Sequence, residues 1–371
     1  MTLAIVGGGL AGGTAAAELR KQGYDGPVVL YAAEQHLPYE RPPLSKGFLL
    51  GRDPLDKMYV HDADWYREQG IDLRLGTPVT AVSPDDHLLH TPDGAEPYTC
   101  LLLATGAHPR RLALADESGV PTAYLRTVED SVRLREAFAQ SPRVAIVGAG
   151  WIGLEVAAAA REAGCQVAVY DRADLPLRGV LGPEVAQVFA DLHQAHGVEL
   201  VLGARVRAAA LAAADLVVVG IGAIPEISLA RAAGLQIANG ILVDAQLRTS
   251  HPDIYAAGDV ANHDHPVLGR VRSEHWDNAI EQAKTAARNM LGGDEAYTRQ
   301  PYFFTDQYDL GMEYFGYVGP HGYDAVVIKG DTKSAFQASW ERRGVIVAAM
   351  HANDWDASDE LRASIGADSK G

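Results

Sequence analysis

The amino-acid sequence predicts an α/β fold with two doubly wound parallel sheets and a small α+β domain at the C-terminal end. One sequence pattern occurs twice, as TLAIVGGGLAG at residues 2–12 and as RVAIVGAGWIG at residues 143–153. In each copy a short apolar run, typical of a buried parallel strand, leads into a glycine-rich turn and an alanine-rich helical sequence. A chain of 371 residues, 47% of them hydrophobic, is long enough for about two to three such domains.

The predicted elements follow each turn in the same order. The first copy gives strand Leu3–Val6, a helix over 11–23 and strand Val28–Tyr31, and the second gives Val144–Val147, a helix over 153–164 and Val167–Tyr170. Units of this kind build parallel sheets covered by helices. The other predicted elements are strands Leu101–Leu103 and Leu216–Val219, a strand followed by Gly-Asp over Leu247–Val260, a helix over Ser273–Leu291, an antiparallel sheet from about Tyr317, a helix and tail from Ala357, and a short helix or collapsed loop over Ala208–Ala214.

The glycines of both turns have the spacing G-x-G-x-x-G. They are Gly7, Gly9 and Gly12 in the first copy and Gly148, Gly150 and Gly153 in the second. At this spacing the first glycine makes the tight turn, the second admits a pyrophosphate, and the third lets helix and strand pack closely. The N-terminus of the following helix attracts phosphate. The sequence therefore predicts two Rossmann-type dinucleotide-binding domains.

An acidic residue follows the second strand of each unit. Glu34 lies 27 positions after Gly7, and Asp171 lies 23 positions after Gly148. A carboxylate at this place accepts hydrogen bonds from the adenosine ribose and repels the 2′-phosphate of NADP. Asp171 therefore favours NADH over NADPH in the second domain, although the neighbouring Arg172 could reverse that preference.

The composition argues against several classes of function. The net charge of −16 disfavours nucleic acid and anionic membranes as partners, because both bind basic surfaces. No stretch approaches the roughly 20 apolar residues of a membrane span, and the N-terminal MTLAIVGGG lacks the features of a signal peptide, so we expect a cytoplasmic protein. Cys100 and Cys165 lie 65 positions apart, which argues against a disulfide framework, a zinc site or a closely spaced redox pair. We expect no metal.

Eight segments, in order along the chain, carry a family pattern. They are GGGLAG (7–12), PYERPPLSKGFL (38–49), LLLATGAHPR (101–110), VGAGWIGLEVAA (147–158), GIGAIPE (220–226), RTSHPDIYAAGDVA (248–261), EHWDNAIEQAKTAARNMLG (274–292) and FFTDQYDLG (303–311). The pattern resembles the oxygenase-coupled, FAD-dependent NADH:ferredoxin reductases, such as putidaredoxin reductase, and more distantly apoptosis-inducing factor. The resemblance implies a glutathione reductase-like architecture, with an FAD-binding domain over 1–109 and 243–317, an NAD-binding domain over 110–242 and a C-terminal domain over 318–371.

The resemblance also implies the cofactors FAD and NADH, with NADPH less favoured, and it assigns their binding residues. Those expected at FAD are Gly7, Gly9, Leu10, Ala11, Gly12, Glu34, Arg41, Pro42, Ser45, Lys46, Val79, Ala104, Thr105, Gly106, Gly258, Asp259, Glu274, His275, Trp276 and Phe304. Those expected at NAD are Gly148, Gly150, Ile152, Gly153, Asp171, Arg172 and Gly222. Gln307 is expected to line the flavin pocket with Trp276 and Phe304.

The catalytic residues implied by the family are Lys46 and Glu155. The lysine would offset negative charge on the reduced flavin. The glutamate would pair with that lysine, and the two side chains are expected to face each other across the flavin. Without the family pattern, Glu155 would be interpreted as an ordinary solvated residue of a helix surface.

The expected partner is a ferredoxin-type iron–sulfur protein that serves an oxygenase such as a cytochrome P450, and the chain is expected to be a monomer or weak homodimer. Because the chain is acidic, docking of an acidic ferredoxin requires a local basic patch. The candidates are Arg41, Arg110, Arg111, Lys329, Lys333, Arg342 and Arg343.

Departures from the family pattern leave the electron acceptor open. Phe303–Gln307 replaces a tryptophan-containing W-S-D-Q segment, the stretch 205–215 is short for the usual β-hairpin, and the C-terminal portion is abbreviated. An NADH oxidase or quinone-type flavin reductase, or a redox sensor like apoptosis-inducing factor, therefore stays possible. A disulfide reductase is disfavoured, because the RPPLSK segment contains no cysteine.

Overall fold

The computed structural model describes residues 1–368. Within them the α-helices α1 to α10 are Leu10–Lys21, Ala63–Glu68, Ala113–Asp116, Val128–Phe138, Trp151–Glu162, Arg178–Ala195, Ala208–Ala212, Ser228–Ala232, Trp276–Met290 and Ser358–Ser364. Short 3-10 helices are Pro42–Ser45, Leu55–Met58, Gly258–Val260 and Trp355–Ala357.

The strands of the same residues are labelled β1 to β23 in chain order. They are Leu3–Val6, Val28–Tyr31, Ile71–Arg74, Ala81–Ser83, Leu88–Thr91, Gly94–Pro97, Cys100–Leu103, Ala107–Pro109, Thr122–Ala123, Arg143–Val147, Gln166–Tyr170, Glu199–Val201, Leu216–Val219, Ala223–Pro225, Ile241–Val243, Ile254–Ala256, Ala261–His265, Gly269–Val271, Tyr302–Gln307, Leu310–Gly316, Ala325–Asp331, Ala335–Arg342 and Val345–Ala352.

The chain divides into two compact units. The first contains Met1–Arg41, Leu55–His108 and Ile224–Pro301, and the second contains Pro42–Pro54, Pro109–Ala223 and the chain from Tyr302. This division differs from the three domains expected from the sequence, whose limits stay a prediction.

The first unit is built on a five-stranded parallel sheet in the order β16–β7–β1–β2–β3. Strands β1, β2 and β7 are buried at every residue, because side chains of α1, α9 and the meander β4–β5–β6 join them in one core. Alanines at the helix positions of this core allow close packing on the sheet; they include Ala15, Ala16, Ala283, Ala286 and Ala287. The sheet β15–β17–β18 completes the unit.

The second unit combines a parallel and an antiparallel sheet. The parallel sheet has the order β12–β11–β10–β13–β9, and the antiparallel sheet has the order β19–β20–β23–β22–β21. One core contains side chains of both sheets and of the alanine-rich helix α5. Trp340 on β22 is fully buried in this core, and its indole N–H donates a hydrogen bond to the Leu181 carbonyl oxygen at 3.1 Å.

Most elements predicted from the sequence are confirmed. The strands Leu3–Val6, Val28–Tyr31 and Leu216–Val219 have the predicted limits. The short helix α7, Ala208–Ala212, stands between β12 and β13 where relatives were expected to carry a hairpin. None of the helices within residues 1–368 is long and apolar enough to cross a membrane.

The start of the antiparallel sheet is corrected by the structure. It begins at Tyr302, and β19 and β20 form two of its five strands, whereas the sequence predicted a start near Tyr317. Strand β20 is buried or half-buried at every position, since one side contributes to the main core and the other packs against α10. A strand buried on both faces loses the alternation of polar and apolar residues by which an antiparallel strand is usually found.

Candidate functional site

The first glycine-rich turn joins β1 to α1, and the first and third glycines of its G-x-G-x-x-G motif leave no room for a side chain. A Cβ atom added to Gly7 would lie 2.1 Å from the Ala104 carbonyl oxygen, and one added to Gly12 would lie 1.9 Å from the Gly7 carbonyl oxygen. A Cβ atom added to Gly9 would meet no atom within 4 Å. The outer glycines therefore serve the packing of the turn, and Gly9 faces open space.

The second turn, between β10 and α5, repeats this arrangement. A Cβ atom added to Gly148 would lie 2.2 Å from the Gly220 carbonyl oxygen, and one added to Gly153 would lie 2.0 Å from the Gly148 carbonyl oxygen. Gly150 again has nothing within 4 Å of an added Cβ atom. The same three roles are thus filled in both units.

The N-termini of the two helices are open to a ligand. Gly9 and Gly150 are the N-cap residues of α1 and α5, and neither helix has a side-chain cap or an acidic residue in its first turn. The first N–H groups of such a helix lack intrahelical partners and carry the positive end of the helix dipole. Space in front of the middle glycine and an uncapped helix end fit a dinucleotide pyrophosphate in each unit.

In the first unit Glu34 belongs to a side-chain network at the end of β2. Its carboxylate accepts a hydrogen bond from Tyr39 Oη at 2.7 Å and an ion-paired hydrogen bond from Arg41 at 2.9 Å. Arg41 also donates to Tyr39 Oη at 3.0 Å. The network holds the Glu34 carboxylate in place while its side chain stays one-third exposed. Sequence reasoning did not identify Tyr39, although it lies in the PYERPP motif.

In the second unit Asp171 is anchored by backbone groups instead. One carboxylate oxygen accepts from the Ala149 N–H and the other from the Ala173 N–H, both at 2.8 Å. Ala149 lies between the first two glycines of the turn, so the carboxylate is fixed beside the proposed phosphate position. Arg172 is exposed, and it makes no ion pair within residues 1–368.

A second group of predicted residues in the first unit converges near α1. An added Cβ atom on Gly258 would lie 3.3 Å from Ala11 Cβ, and the Gly258 N–H donates to Gln282 Oε1 at 3.0 Å. Asp259 interacts electrostatically with Arg41 and with His275. Burial lowers the pKa of His275 to about 4, against the opposing effects of Asp259 and Asp277.

The residues where β7 ends are fixed by a neighbouring loop of the same unit. The Ala104 carbonyl lies beneath Gly7, as described above. Thr105 Oγ1 donates to the Glu226 carbonyl oxygen at 2.7 Å, and the Gly106 carbonyl oxygen accepts from the Glu226 N–H at 2.9 Å. Gly106 has φ +70°, a conformation that favours glycine.

The remaining predicted residues differ in their surroundings. Leu10 and Val79 pack against the first core. Glu274 pairs with Arg272 at 2.6 Å, and burial raises the pKa of Glu40 against the opposing effect of the Trp276 indole. In the second unit Ile152 is exposed, and Gly222 has φ +101° with open space around an added Cβ atom.

The second unit holds a buried ion pair between Lys46 and Glu155. Lys46 Nζ lies 2.7 Å from Glu155 Oε1, and the side chains are 17% and 4% exposed. Direct contact at this distance agrees with the pairing that the family pattern implied, and it leaves no room for a flavin between the two side chains. It also corrects the interpretation of Glu155 as a solvated helix residue, because α5 presents Glu155 to the unit's interior.

Several groups position this pair. Pro42–Ser45 forms a 3-10 helix that is held by Ser131, whose hydroxyl donates to the Leu44 carbonyl oxygen at 2.8 Å. Ser45 and Thr305 donate hydrogen bonds to the Glu155 carboxylate. Lys46 Nζ lies 5.4 Å from the centre of the Phe304 ring, within reach of a cation–π interaction. The carboxylate thus has three donors, as a buried charge requires.

Sequence reasoning missed two further polar residues near the ion pair. Thr305 contacts Glu155, and His193 is linked to Thr305 through Gln307. Thr305 lies in the segment that replaces W-S-D-Q, and it was noted only as a departure. His193 lies on α6 and bonds to Gln307, which was expected at a flavin pocket but is fully buried here. A single histidine on the inward face of a helix carries no recognisable motif, so nothing in the sequence marked it.

Comparison with known families gives two matches that together span nearly the whole chain. The model of the pyridine nucleotide-disulphide oxidoreductases matches residues 1–283. The model named reductase C-terminal matches residues 302–370.

Individual relatives give a narrower comparison. The chain is 43% identical to the ferredoxin–NAD(+) reductase component of the anthranilate 1,2-dioxygenase system of Burkholderia cepacia, over 88% of this chain and 84% of that protein. It is 37% identical to putidaredoxin reductase of Pseudomonas putida, over 88% and 82%. The crystal structure of a covalent putidaredoxin reductase–putidaredoxin complex superposes with a TM-score of 0.90 at 34% identity, covering 98% of this chain and 91% of that one.

Proposed function

The chain belongs to the pyridine nucleotide-disulphide oxidoreductases and carries their reductase C-terminal domain, and from this premise we propose that it is an NADH-dependent FAD oxidoreductase. Its proposed acceptor is a ferredoxin-type iron–sulfur protein that serves an oxygenase. The observation that carries the proposal is the pair of dinucleotide turns, each with two sterically required glycines and an open central one. Two of the relatives are named as reductases of a ferredoxin or of putidaredoxin, and these names support reduction of an iron–sulfur protein as the reaction.

We propose that FAD binds the first unit through the turn at Gly9, the Glu34–Arg41 network and the Gly258–Asp259 region. NADH is assigned to the second unit, through the turn at Gly150 and the Asp171 carboxylate. Bound FAD would supply hydride acceptance from the nicotinamide and release of electrons one at a time. The chain's own residues supply binding, orientation and charge placement.

The Lys46–Glu155 pair is the proposed charge-placing element of the redox site. Its ammonium lies 2.7 Å from the buried carboxylate, and the lysine side chain is only 17% exposed. A fixed, poorly hydrated positive charge stabilises negative charge that develops on a neighbouring group more strongly than a mobile surface lysine would.

A disulfide reductase function is disfavoured by the chemistry of the cysteines. Cys100 and Cys165 are both buried. Burial raises the pKa of the Cys100 thiol to about 12 and also raises that of Cys165. Thiols with raised pKa values are poor nucleophiles, and neither lies in the Pro42–Lys46 segment.

Docking of the iron–sulfur protein is proposed to use basic residues of the second unit. Arg111 is engaged by Asp116 at 2.8 Å, and Arg342 donates to the Val318 carbonyl oxygen at 3.3 Å. The exposed side chains that remain for a partner are Arg110, Lys329, Lys333 and Arg343. We propose a cytoplasmic protein that acts as a monomer or weak homodimer, since redox encounters of this kind are small and transient.

The experiment that tests this function measures NADH oxidation with a panel of ferredoxins from the same source. A cognate [2Fe–2S] ferredoxin should be reduced faster than oxygen or a quinone. Its reduction should fall steeply as salt is added, because charges set the on-rate, whereas reduction of a neutral quinone should change little. If oxygen or the quinone is the fastest acceptor, the proposed acceptor is wrong.

A further inference from the structure

We propose that Gln307 and His193 are positioning residues for the Lys46–Glu155 pair, acting through Thr305. The hydrogen bonds involved all lie within the second unit and do not depend on the proposed function. Their relevance to electron transfer rests on the proposed function. No contact of His193 with a cofactor is implied.

The four side chains form a continuous hydrogen-bonded chain. His193 Nε2 lies 2.8 Å from Gln307 Oε1, Gln307 Nε2 lies 3.1 Å from Thr305 Oγ1, and Thr305 Oγ1 lies 2.5 Å from Glu155 Oε1. His193, Gln307 and Thr305 are fully buried, and Glu155 is 4% exposed. The chain connects three elements of the unit: α6, β19 and α5.

The direction of every bond is fixed by chemistry. The ionised Glu155 carboxylate can only accept, so the Thr305 hydroxyl donates to it. That hydroxyl then accepts from the amide of Gln307, which leaves the Gln307 carbonyl oxygen to accept from His193. His193 must therefore be the tautomer that carries its proton on Nε2.

The other ring nitrogen supports the same assignment. His193 Nδ1 is buried without a hydrogen-bond partner among residues 1–368, which is less costly for a bare nitrogen than for an N–H group or a charged ring. Burial lowers the pKa of His193 to about 4. The neutral ring is thus available as a donor with one orientation.

The arrangement gives Thr305 a single hydroxyl orientation. Thr305 and Gln307 are two positions apart on β19, so their side chains lie on the same side of the strand. Without the Gln307 donor, the Thr305 hydroxyl could rotate, and Glu155 would lose a fixed donor to the oxygen that also holds Lys46. Loss of that donor changes the electron distribution of the carboxylate oxygen that binds the Lys46 ammonium.

The chain offers matched variants for a test. Gln307→Leu removes the central link, His193→Leu removes the terminal donor, and His193→Gln retains an N–H donor near the position of Nε2. His196→Ala is the control, because the His196 ring stacks on Tyr308 at 3.7 Å, as a neighbour of His193, yet within residues 1–368 its nitrogens bond only to the Leu192 carbonyl oxygen.

The first readout needs no electron acceptor and no turnover. In selectively 13C-labelled protein, the Glu155 carboxyl resonance, assigned by its loss in Glu155→Gln, should shift in Gln307→Leu and His193→Leu. It should keep its position in His196→Ala and return towards it in His193→Gln. An unshifted resonance in both Leu variants would overturn the proposal, whether or not the protein reduces a ferredoxin.

The second readout is the rate constant of flavin reduction by NADH, measured in a double-mutant cycle. Gln307→Leu should slow reduction by up to about tenfold, the upper size of one neutral hydrogen bond. It should have no further effect in the Glu155→Gln background, because both changes remove the same interaction. Equal effects in both backgrounds would show a general structural role and contradict the positioning role. Failure of NADH to reduce the flavin in the unsubstituted protein would instead reject the proposed function.

Discussion

At the scale of single residues, the structure concentrates buried charge at Lys46 and Glu155. The carboxylate receives three donors from sequence-distant segments, and the ammonium has little access to water. A buried charge pair of this kind adds little net stability, since desolvation offsets its Coulomb energy. Its arrangement is therefore better explained by a chemical role than by a structural one.

Glu155→Gln tests that role. The substitution keeps the shape and removes the charge, so FAD content should stay near that of the unsubstituted protein while flavin reduction by NADH slows about tenfold or more. Stopped-flow absorbance of the flavin measures this rate. Glu162→Gln is the matched control, because Glu162 lies on the same helix but pairs with Arg52 at an exposed site. A normal rate of flavin reduction in the Glu155→Gln protein would show that Glu155 has a purely structural role.

The Asp171 carboxylate determines the proposed preference for NADH. Asp171→Ala should reduce the ratio of kcat/KM for NADH over NADPH by a factor equivalent to about 1–3 kcal/mol, the scale of a charge-assisted hydrogen bond. Arg172→Ala should change the ratio in the opposite direction, because it removes the one cation adjacent to Asp171 in sequence. Equal kinetics with both nucleotides before any substitution would show that Asp171 does not discriminate.

At the scale of elements, each strand–turn–helix unit separates packing from binding among its three glycines. The first and third glycines are required by carbonyl groups of the turn and the neighbouring strand, and the middle one is not. A change of the middle glycine should therefore affect ligand binding without affecting the fold.

Gly9→Ala and Gly12→Ala separate these roles. Gly12→Ala should destabilise the protein by more than about 2 kcal/mol, because its Cβ atom would lie 1.9 Å from a backbone oxygen. Gly9→Ala should leave the denaturation midpoint of the apoprotein nearly unchanged and weaken FAD binding by about tenfold or more. Chemical denaturation and FAD titration measure the two effects. Unchanged FAD affinity in Gly9→Ala would show that the FAD pyrophosphate does not bind at this turn.

At the scale of the whole molecule, buried neutral histidines make the folded state sensitive to acid. Burial lowers the pKa values of His193, His263 and His275 to about 4. The unfolded chain binds these protons near pH 6.5, so between pH 6.5 and about 4 the unfolded state holds more protons than the folded state. The contribution of these histidines to the free energy of unfolding should be fully present above pH 6.5 and should fall as the pH decreases through that range.

The expected slope is up to about 1.4 kcal/mol per pH unit for each histidine. Denaturant titrations at several pH values between 4.5 and 7 measure it. His263→Gln should flatten the slope, and a stability that does not change between pH 6.5 and 4.5 would contradict the assignment of three neutral histidines.

The sequence was sufficient to predict the parallel sheets, because strands buried between layers are continuous apolar runs that end in diagnostic glycines. It was not sufficient for β20, whose burial on both sides hides the alternating pattern. At the site, the family motifs identified Lys46 and Glu155 and their pairing, but not the hydrogen bonds that surround the pair. Thr305 and His193 escaped detection because their role depends on a three-dimensional chain of hydrogen bonds between distant segments.

The central claim is that electrons pass from NADH through bound FAD to an iron–sulfur protein. The most direct test is an anaerobic stopped-flow experiment on the purified holoprotein, with NADH added first and an oxidised [2Fe–2S] ferredoxin second. We predict that the yellow flavin absorbance is lost with about one equivalent of NADH and returns as the ferredoxin is reduced, faster than it returns with oxygen. A flavin that NADH does not bleach, or whose colour is restored by oxygen faster than by every ferredoxin tested, would contradict the account.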